Sequence, residues 1–325
     1  MTDKELHFQA LSIINDIRKA EKSGKRIPLH KMNHLEARNA YLAMTESLSP
    51  PAPKVFQVKD FFIELKKIKI PIRYYRGIKH SKKNILPVTV FFHGGGWVIG
   101  DLDTHDVVCR QLANLGNFDV ISVNYRMGPE NSFPAAVNDA TSSINWIANN
   151  KINLPIDSSK IAVCGDSAGG NLAAVCCINS KINSGPLITY QTLIYPATHM
   201  GNNYPSKNKY DGYILSKRLM KWFEEKYIGN NQGDFSYSDW RISPICYDYL
   251  HNLPPALIIM AGCDPLKDEG IAYAEKLKKS GNDVETVIFD GQIHGFLTMG
   301  ARIDDAYKLI TMVARRISAS LSKQL

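Results

Sequence analysis

The chain has 325 residues, 44% of them hydrophobic and 22% charged, which is an ordinary globular composition. Its net charge of +8 comes from scattered lysines, with pairs at Lys66-Lys67, Lys82-Lys83 and Lys278-Lys279. No helix carries a continuous basic stripe with aromatics between, so no nucleic-acid partner is expected. No apolar run approaches the roughly 18 residues that cross a bilayer, and no basic region followed by an apolar run opens the chain. The expectation is a cytoplasmic protein without stable membrane insertion.

Apolar positions at Leu6, Leu11, Ile14 and Ile17 predict a helix over 5–20, and a second is expected from His34 to Met44. Ser49-Pro50-Pro51-Ala52-Pro53 breaks the helical pattern, and strands follow it, from Phe56 to Leu65 and from Ile70 to Arg76. Beyond Val88-Thr89-Val90-Phe91-Phe92 strands alternate with helices. Strands are expected at 120–124, 161–164, 189–195, 256–262 and 284–289, and helices at 135–149 and 171–178. The last helix carries Ile303, Ala306, Ile310, Val313 and Ile317 on one face. This alternation predicts an α/β fold, a mostly parallel central sheet with helices on both faces.

One segment interrupts the alternation, from about His199 to Asp239, and contains Leu215-Ser216-Lys217-Arg218-Leu219-Met220-Lys221-Trp222-Phe223. With Tyr204, Tyr210 and Tyr213 it has more apolar and aromatic surface than a solvent-bridging helix needs, and it is expected to form part of a helical cap. The plainer reading is a surface helix whose aromatics face the core. Cysteines stand at 109, 164, 176, 177, 246 and 263 without CxxC or Cys/His ligand spacing. Neither zinc nor a disulfide framework is indicated, and reduced thiols are the simpler account.

The chemistry is concentrated in four short stretches. Gly165-Asp166-Ser167-Ala168-Gly169 follows an apolar strand and leads into a helix, which places Ser167 on a sharp strand-to-helix corner with its hydroxyl clear of the sheet. His93-Gly94-Gly95-Gly96-Trp97 follows another strand, and its glycines expose backbone N–H groups that can hold a developing oxyanion. No Gly-Lys-Ser/Thr follows, so a phosphate-binding loop is disfavoured. Gly94, Gly95, Gly96 and Ala168 are therefore the candidate oxyanion donors, and His93 is read as structural.

His294, in Gly291-Gln292-Ile293-His294-Gly295-Phe296, lies beyond a strand end, where a base can reach the serine. Asp264, at the end of the apolar run 256–262, is the candidate orienting acid. Asp268 and Glu269 compete for that role but read first as helix caps and dipole partners. Asp166, Asp139 and Glu130 read as structural groups.

Together with Tyr125-Arg126-Met127-Gly128-Pro129-Glu130, Phe133-Pro134-Ala135-Ala136 and Asp264-Pro265-Leu266-Lys267-Asp268-Glu269-Gly270, these motifs resemble the hormone-sensitive-lipase-like branch of the α/β-hydrolases, which includes bacterial carboxylesterases and arylacetamide deacetylases. The resemblance runs from about residue 50 to the C-terminus. Met127-Gly128 departs from the family's usual Leu-Ala, and Lys267 is also unusual.

The resemblance implies an α/β-hydrolase fold over 51–325 with a cap built from residues 1–50 and an insertion at about 199–239. It also implies a Ser167, Asp264 and His294 triad and hydrolysis of small-molecule esters with short to medium acyl chains; no cofactor or metal is expected. The same scaffold supports two rival readings. One is an amidase, formamidase or deacetylase using the same triad. The other is a ligand-binding receptor, as in relatives that have lost the catalytic histidine. The family contains monomers as well as dimers, and nothing in these residues selects or rejects a homodimer.

Overall fold

The computed structural model describes residues 3–65, 68–149, 154–229 and 235–322. The Lys66-Lys67 pair and positions 230–234 of the interrupting segment lie outside the described residues. Eight strands form one sheet: β1 (Gln57–Glu64), β2 (Lys69–Arg76), β3 (Leu86–Phe92), β4 (Asp119–Val123), β5 (Ile156–Asp166), β6 (Ile188–Ile194), β7 (Ala256–Cys263) and β8 (Val284–Ile293). Their spatial order is β1-β2-β4-β3-β5-β6-β7-β8. The pairs β1/β2 and β2/β4 are antiparallel, and the remaining pairs are parallel.

Sequence pattern and position in the sheet agree. All eight residues of Ala256-Leu257-Ile258-Ile259-Met260-Ala261-Gly262-Cys263 are buried, as a parallel strand covered on both faces requires. The outer strand β1 exposes Lys59, Asp60, Phe62 and Glu64, as befits an edge.

Helices α3 (Asp106–Leu115) and α9 (Asp304–Leu321) pack together on one face, and α4 (Ala135–Ala148), α5 (Ala168–Ile182) and α8 (Lys267–Lys279) cover the other. The buried residues of α9, from Ala306 through Ile310, Val313 and Ile317 to Leu321, follow the three-and-four spacing of one helical face. Helix α3 was not expected from the sequence, although Val108, Cys109, Leu112 and Ala113 give it an inward stripe. Helix α5 begins at Ala168, three residues before the expected start.

Four more helices gather at the carboxyl ends of the parallel strands: α1 (Phe8–Lys22), α2 (His34–Leu48), α6 (Pro205–Lys209) and α7 (Lys217–Ile228). The run 215–223 is helical only from Lys217, because Ser216 caps it by accepting the Leu219 N–H at 3.1 Å. On α7, Leu219, Phe223 and Tyr227 are buried and recur every fourth residue, forming one inward stripe. A second apolar cluster, separate from the main core, joins Ala37 of α2, Val98 and Ile99 of the loop after β3, Leu219 and Phe223 of α7, and Leu266. It lies where open parallel sheets place their ligands, beyond the strand ends.

Candidate active site

Ser167 sits between β5 and α5 with φ 54° and ψ −116°, a conformation that costs a non-glycine residue on the order of 1–3 kcal/mol. The surroundings impose it. The Ser167 N–H donates to Ile194 O at 2.8 Å, and Gly169 lies so close to β3 that a β-carbon there would approach Phe92 O to 1.9 Å. The corner is thus wedged between β3 and β6, and the hydroxyl is turned outward.

His294 follows β8 and Asp264 follows β7, so both reach the same end of the sheet as Ser167. The His294 Nε2 lies 2.9 Å from Ser167 Oγ, and its Nδ1 lies 2.7 Å from Asp264 Oδ2. With Nδ1–H donating to the carboxylate, Nε2 is left to accept the serine proton. Asp264 is fully buried and its other oxygen accepts the Leu266 N–H at 2.8 Å, which fixes the carboxylate plane. Three residues far apart in sequence therefore form one hydrogen-bonded chain.

The loop after β3 lies beside the corner because β3 and β5 are neighbours, with Phe92 opposite Gly165. Gly95 has φ +120° and Gly96 φ +59°, backbone states that favour glycine. The N–H groups of Gly95, Gly96 and Ala168 have no acceptor among the described residues. Gly94 differs from the expectation: its N–H donates to Asp166 Oδ1 at 2.8 Å and is not free for an oxyanion. That bond anchors the loop to the residue preceding Ser167.

Asp166 is in turn 3.1 Å from His105 Nε2. Burial works against its charge, but His105 and the Gly94 N–H outweigh it and hold the carboxyl below its ordinary range. His93 is fully buried, with Nδ1 2.8 Å from Gly94 O, while the Tyr125 hydroxyl donates to His93 O at 2.6 Å. Burial and the neighbouring His105 push its imidazole down to about 4, so it is neutral and structural.

The competing carboxylates are engaged elsewhere. Asp139 pairs with Arg126 and Glu130 with Arg38, at 2.8 and 2.7 Å. Asp268 and Glu269 lie in the first turn of α8 but make no capping hydrogen bond to it; instead each binds the segment after β6. Asp268 accepts the Ser206 N–H at 2.8 Å. Glu269 Oε1 accepts the Thr198 and His199 N–H groups, and Lys207 Nζ lies 2.8 Å from Glu269 Oε2. Burial raises the Glu269 carboxyl while Lys207 opposes the rise. Sequence reading missed Lys207 and Arg38, since their partners are remote and no spacing marks them.

A cavity of about 240 Å³ opens onto Ser167 and His294. Its apolar wall includes Tyr41 and Met44 of α2, Leu215, and Leu219, Met220 and Phe223 of α7. Of the cap aromatics singled out in the sequence, Tyr213 and Phe223 line it, whereas Tyr204, Tyr210 and Trp222 do not. Among the described residues no group of His, Cys, Asp and Glu could hold a metal ion, and no helix is long and apolar enough to cross a membrane.

Residues 89–298 match a protein family described as alpha/beta hydrolase fold. The chain is 32% identical over 303 residues to an ethyl acetate hydrolase of Pseudomonas putida, covering 92% of this chain and 94% of that protein. It is 38% identical over 259 residues to the carboxylic ester hydrolase LipN of Mycobacterium tuberculosis, covering 77% and 67%. Among solved structures, an ester-hydrolase from the metagenome of Lake Arreo, complexed with a bipyridine phosphonate derivative, superimposes with a TM-score of 0.92 at 34% identity, covering 98% of this chain and all of that one. By this match and by its sheet, the chain belongs to the α/β-hydrolase family.

Proposed function

We infer that Ser167 is the nucleophile of this carboxylic ester hydrolase, with His294 as its general base and Asp264 as the acid that orients the imidazole. The observation that carries the reading is the continuous chain from Ser167 Oγ through both His294 nitrogens to the buried Asp264. In the first step His294 Nε2 takes the hydroxyl proton while Oγ bonds to the ester carbonyl carbon. The carbonyl oxygen becomes negative and is held by the N–H groups of Gly95, Gly96 and Ala168. Each such donor typically contributes about 2.7–4 kcal/mol to the transition state. The tetrahedral centre then collapses, and the alcohol leaves with the proton from His294. Water repeats the sequence on the acyl-serine and releases the carboxylic acid.

The described parts of residues 1–50 and of about 199–239 form a cap over this site, a reading supported by the cavity wall that α2 and α7 supply. The cavity volume lies below the roughly 300–1,000 Å³ usual for ligand pockets, which favours short acyl chains. Six cysteines carried as thiols, five of them buried, favour a reducing cytoplasmic location.

The test is hydrolysis of p-nitrophenyl acetate, butyrate, octanoate and palmitate by the wild type and Ser167→Ala. Activity should be greatest on the shorter chains, and Ser167→Ala should lower kcat by about 10⁶. Turnover that survives in Ser167→Ala would remove the serine from the mechanism, and a folded wild type inert on every ester would redirect attention to amides.

A further inference from the structure

Trp97 is the residue of the oxyanion loop least suited to its backbone. It has φ +58°, a region that a bulky side chain enters only when its surroundings enforce it. What enforces it is helix α7. The Trp97 and Tyr227 rings stack with centroids 4.4 Å apart and planes 8° from parallel. Neither Trp97 Nε1 nor the Tyr227 hydroxyl has a hydrogen-bond partner among the described residues, so the rings meet through their faces alone. The Trp97 carbonyl accepts the Gly128 N–H at 2.9 Å, and Gly128 lies against the backbone of Lys226.

One residue earlier, Gly96 lies beneath Phe223. A β-carbon on Gly96 would come within 2.3 Å of the Phe223 Cγ. Phe223 and Tyr227 are one helical turn apart, so successive turns of α7 bear on successive residues of the loop. Tyr227 is itself fixed, since its carbonyl accepts the Phe133 N–H at 2.7 Å and Phe133 packs edge-on against its ring. The loop is therefore held at two ends, by Asp166 at Gly94 and by α7 at Gly96 and Trp97. Gly95 and Gly96, whose N–H groups have no acceptor among the described residues, lie between or beside these anchors.

We propose that α7 is a working part of the oxyanion hole, with Tyr227 and Phe223 as positioning residues that hold the Gly95 and Gly96 N–H groups on the reacting carbonyl oxygen. This rests on the reading of those glycines as oxyanion donors. The helix that walls the cavity thereby also sets the rate of the chemical step. A displacement of about 1 Å in such a donor can cost on the order of 10²-fold in rate.

The experiment compares wild type, Tyr227→Leu, Tyr227→Phe and Ser167→Ala on p-nitrophenyl butyrate, each checked for folding by circular dichroism. Tyr227→Leu is expected to lower kcat about 10- to 100-fold with KM within about twofold, because Tyr227 does not itself line the cavity, whereas the donors it positions face the transition state. Affinity for a trifluoromethyl ketone, whose serine adduct carries the oxyanion, should fall by the same factor as kcat/KM. The pH profile of kcat/KM should keep its shape, since the triad is unaltered. Tyr227→Phe, which keeps the ring, should restore the rate lost in Tyr227→Leu.

A folded Tyr227→Leu enzyme with kcat within about twofold of wild type, or one whose loss lies wholly in KM, overturns the proposal. If Tyr227→Leu does not fold, Phe223→Leu takes its place. Because Phe223 also lines the cavity, KM decides its outcome: a loss of about 3- to 10-fold in kcat and in ketone affinity together, with KM within about twofold, supports the proposal, and an unchanged kcat or a loss wholly in KM overturns it. An inert wild type or an active Ser167→Ala would instead bring down the underlying hydrolase reading, and the proposal with it.

Discussion

Ser167, Asp264 and His294 stand at the ends of β5, β7 and β8, whereas Gly95, Gly96 and Trp97 stand on a loop gripped mainly by side chains from outside the sheet. The first group inherits its geometry from strand pairing, which is dense with backbone hydrogen bonds and fully buried along β7. The second inherits it from ring packing by α7, from Arg38 of α2, whose Nε donates to Val98 O at 2.8 Å, and from one carboxylate, Asp166. Strand ends are hard to displace without unfolding the sheet. A loop held by helix side chains can be shifted by changing one of them, and this difference is open to experiment.

The largest effect is expected on the sheet-borne side. Asp264→Asn should keep the site's shape but favour the wrong imidazole tautomer, lowering kcat on the order of 10⁴-fold with little change in KM or thermal stability. Steady-state kinetics on p-nitrophenyl butyrate measures this. A near-normal rate would mean that Asp264 does not orient His294, and the contrast between the two halves would lose its firmer member.

Lys207→Met probes how the segment around α6 is attached. It would leave Glu269, almost wholly buried, without its counter-charge, and breaking such a pair typically costs about 3–5 kcal/mol. Urea denaturation should report that loss, and the double variant with Glu269→Gln should recover part of it, because the uncompensated charge is gone. If Lys207→Met is as stable as wild type, the ion pair does not tie this segment to α8 in solution.

The smallest effect belongs to the Arg38–Glu130 pair. Hydrogen bonding to the Arg38 guanidinium holds the Glu130 carboxyl at about 2, below its ordinary 4.5. A carboxyl depressed in the folded state adds stability above its ordinary value, and that stability is lost as pH falls from about 4.5 through about 2. The side chain is 43% exposed, so solvent screens the pair and its worth stays below about 1 kcal/mol. Glu130→Gln should therefore be slightly less stable than wild type at pH 7 and equal to it near pH 2. A difference that persists unchanged at pH 2 would place the effect on something other than charge.

The sequence by itself determined the strands of the sheet and singled out Ser167, Asp264 and His294, which the fold brings into one hydrogen-bonded chain. Period-two and continuous apolar runs report how strands are buried, and glycines flanking Ser167 report a backbone corner, since both are local properties of the chain. The tertiary structure decided what each polar group actually faces. Gly94 reads as one more exposed N–H in its glycine run, and only the adjacency of β3 and β5 brings Asp166 within reach to occupy it.

Asp268 and Glu269 read as caps of α8, yet the partners that define them, Ser206, Thr198 and Lys207, arrive from beyond β6. The amphipathic run at 215–223 was legible as a helix with an apolar face, but the face pattern is the same whether it covers core, cavity or loop. Which of these Phe223 and Tyr227 meet depends on packing between segments far apart in the chain, and no spacing within α7 encodes it.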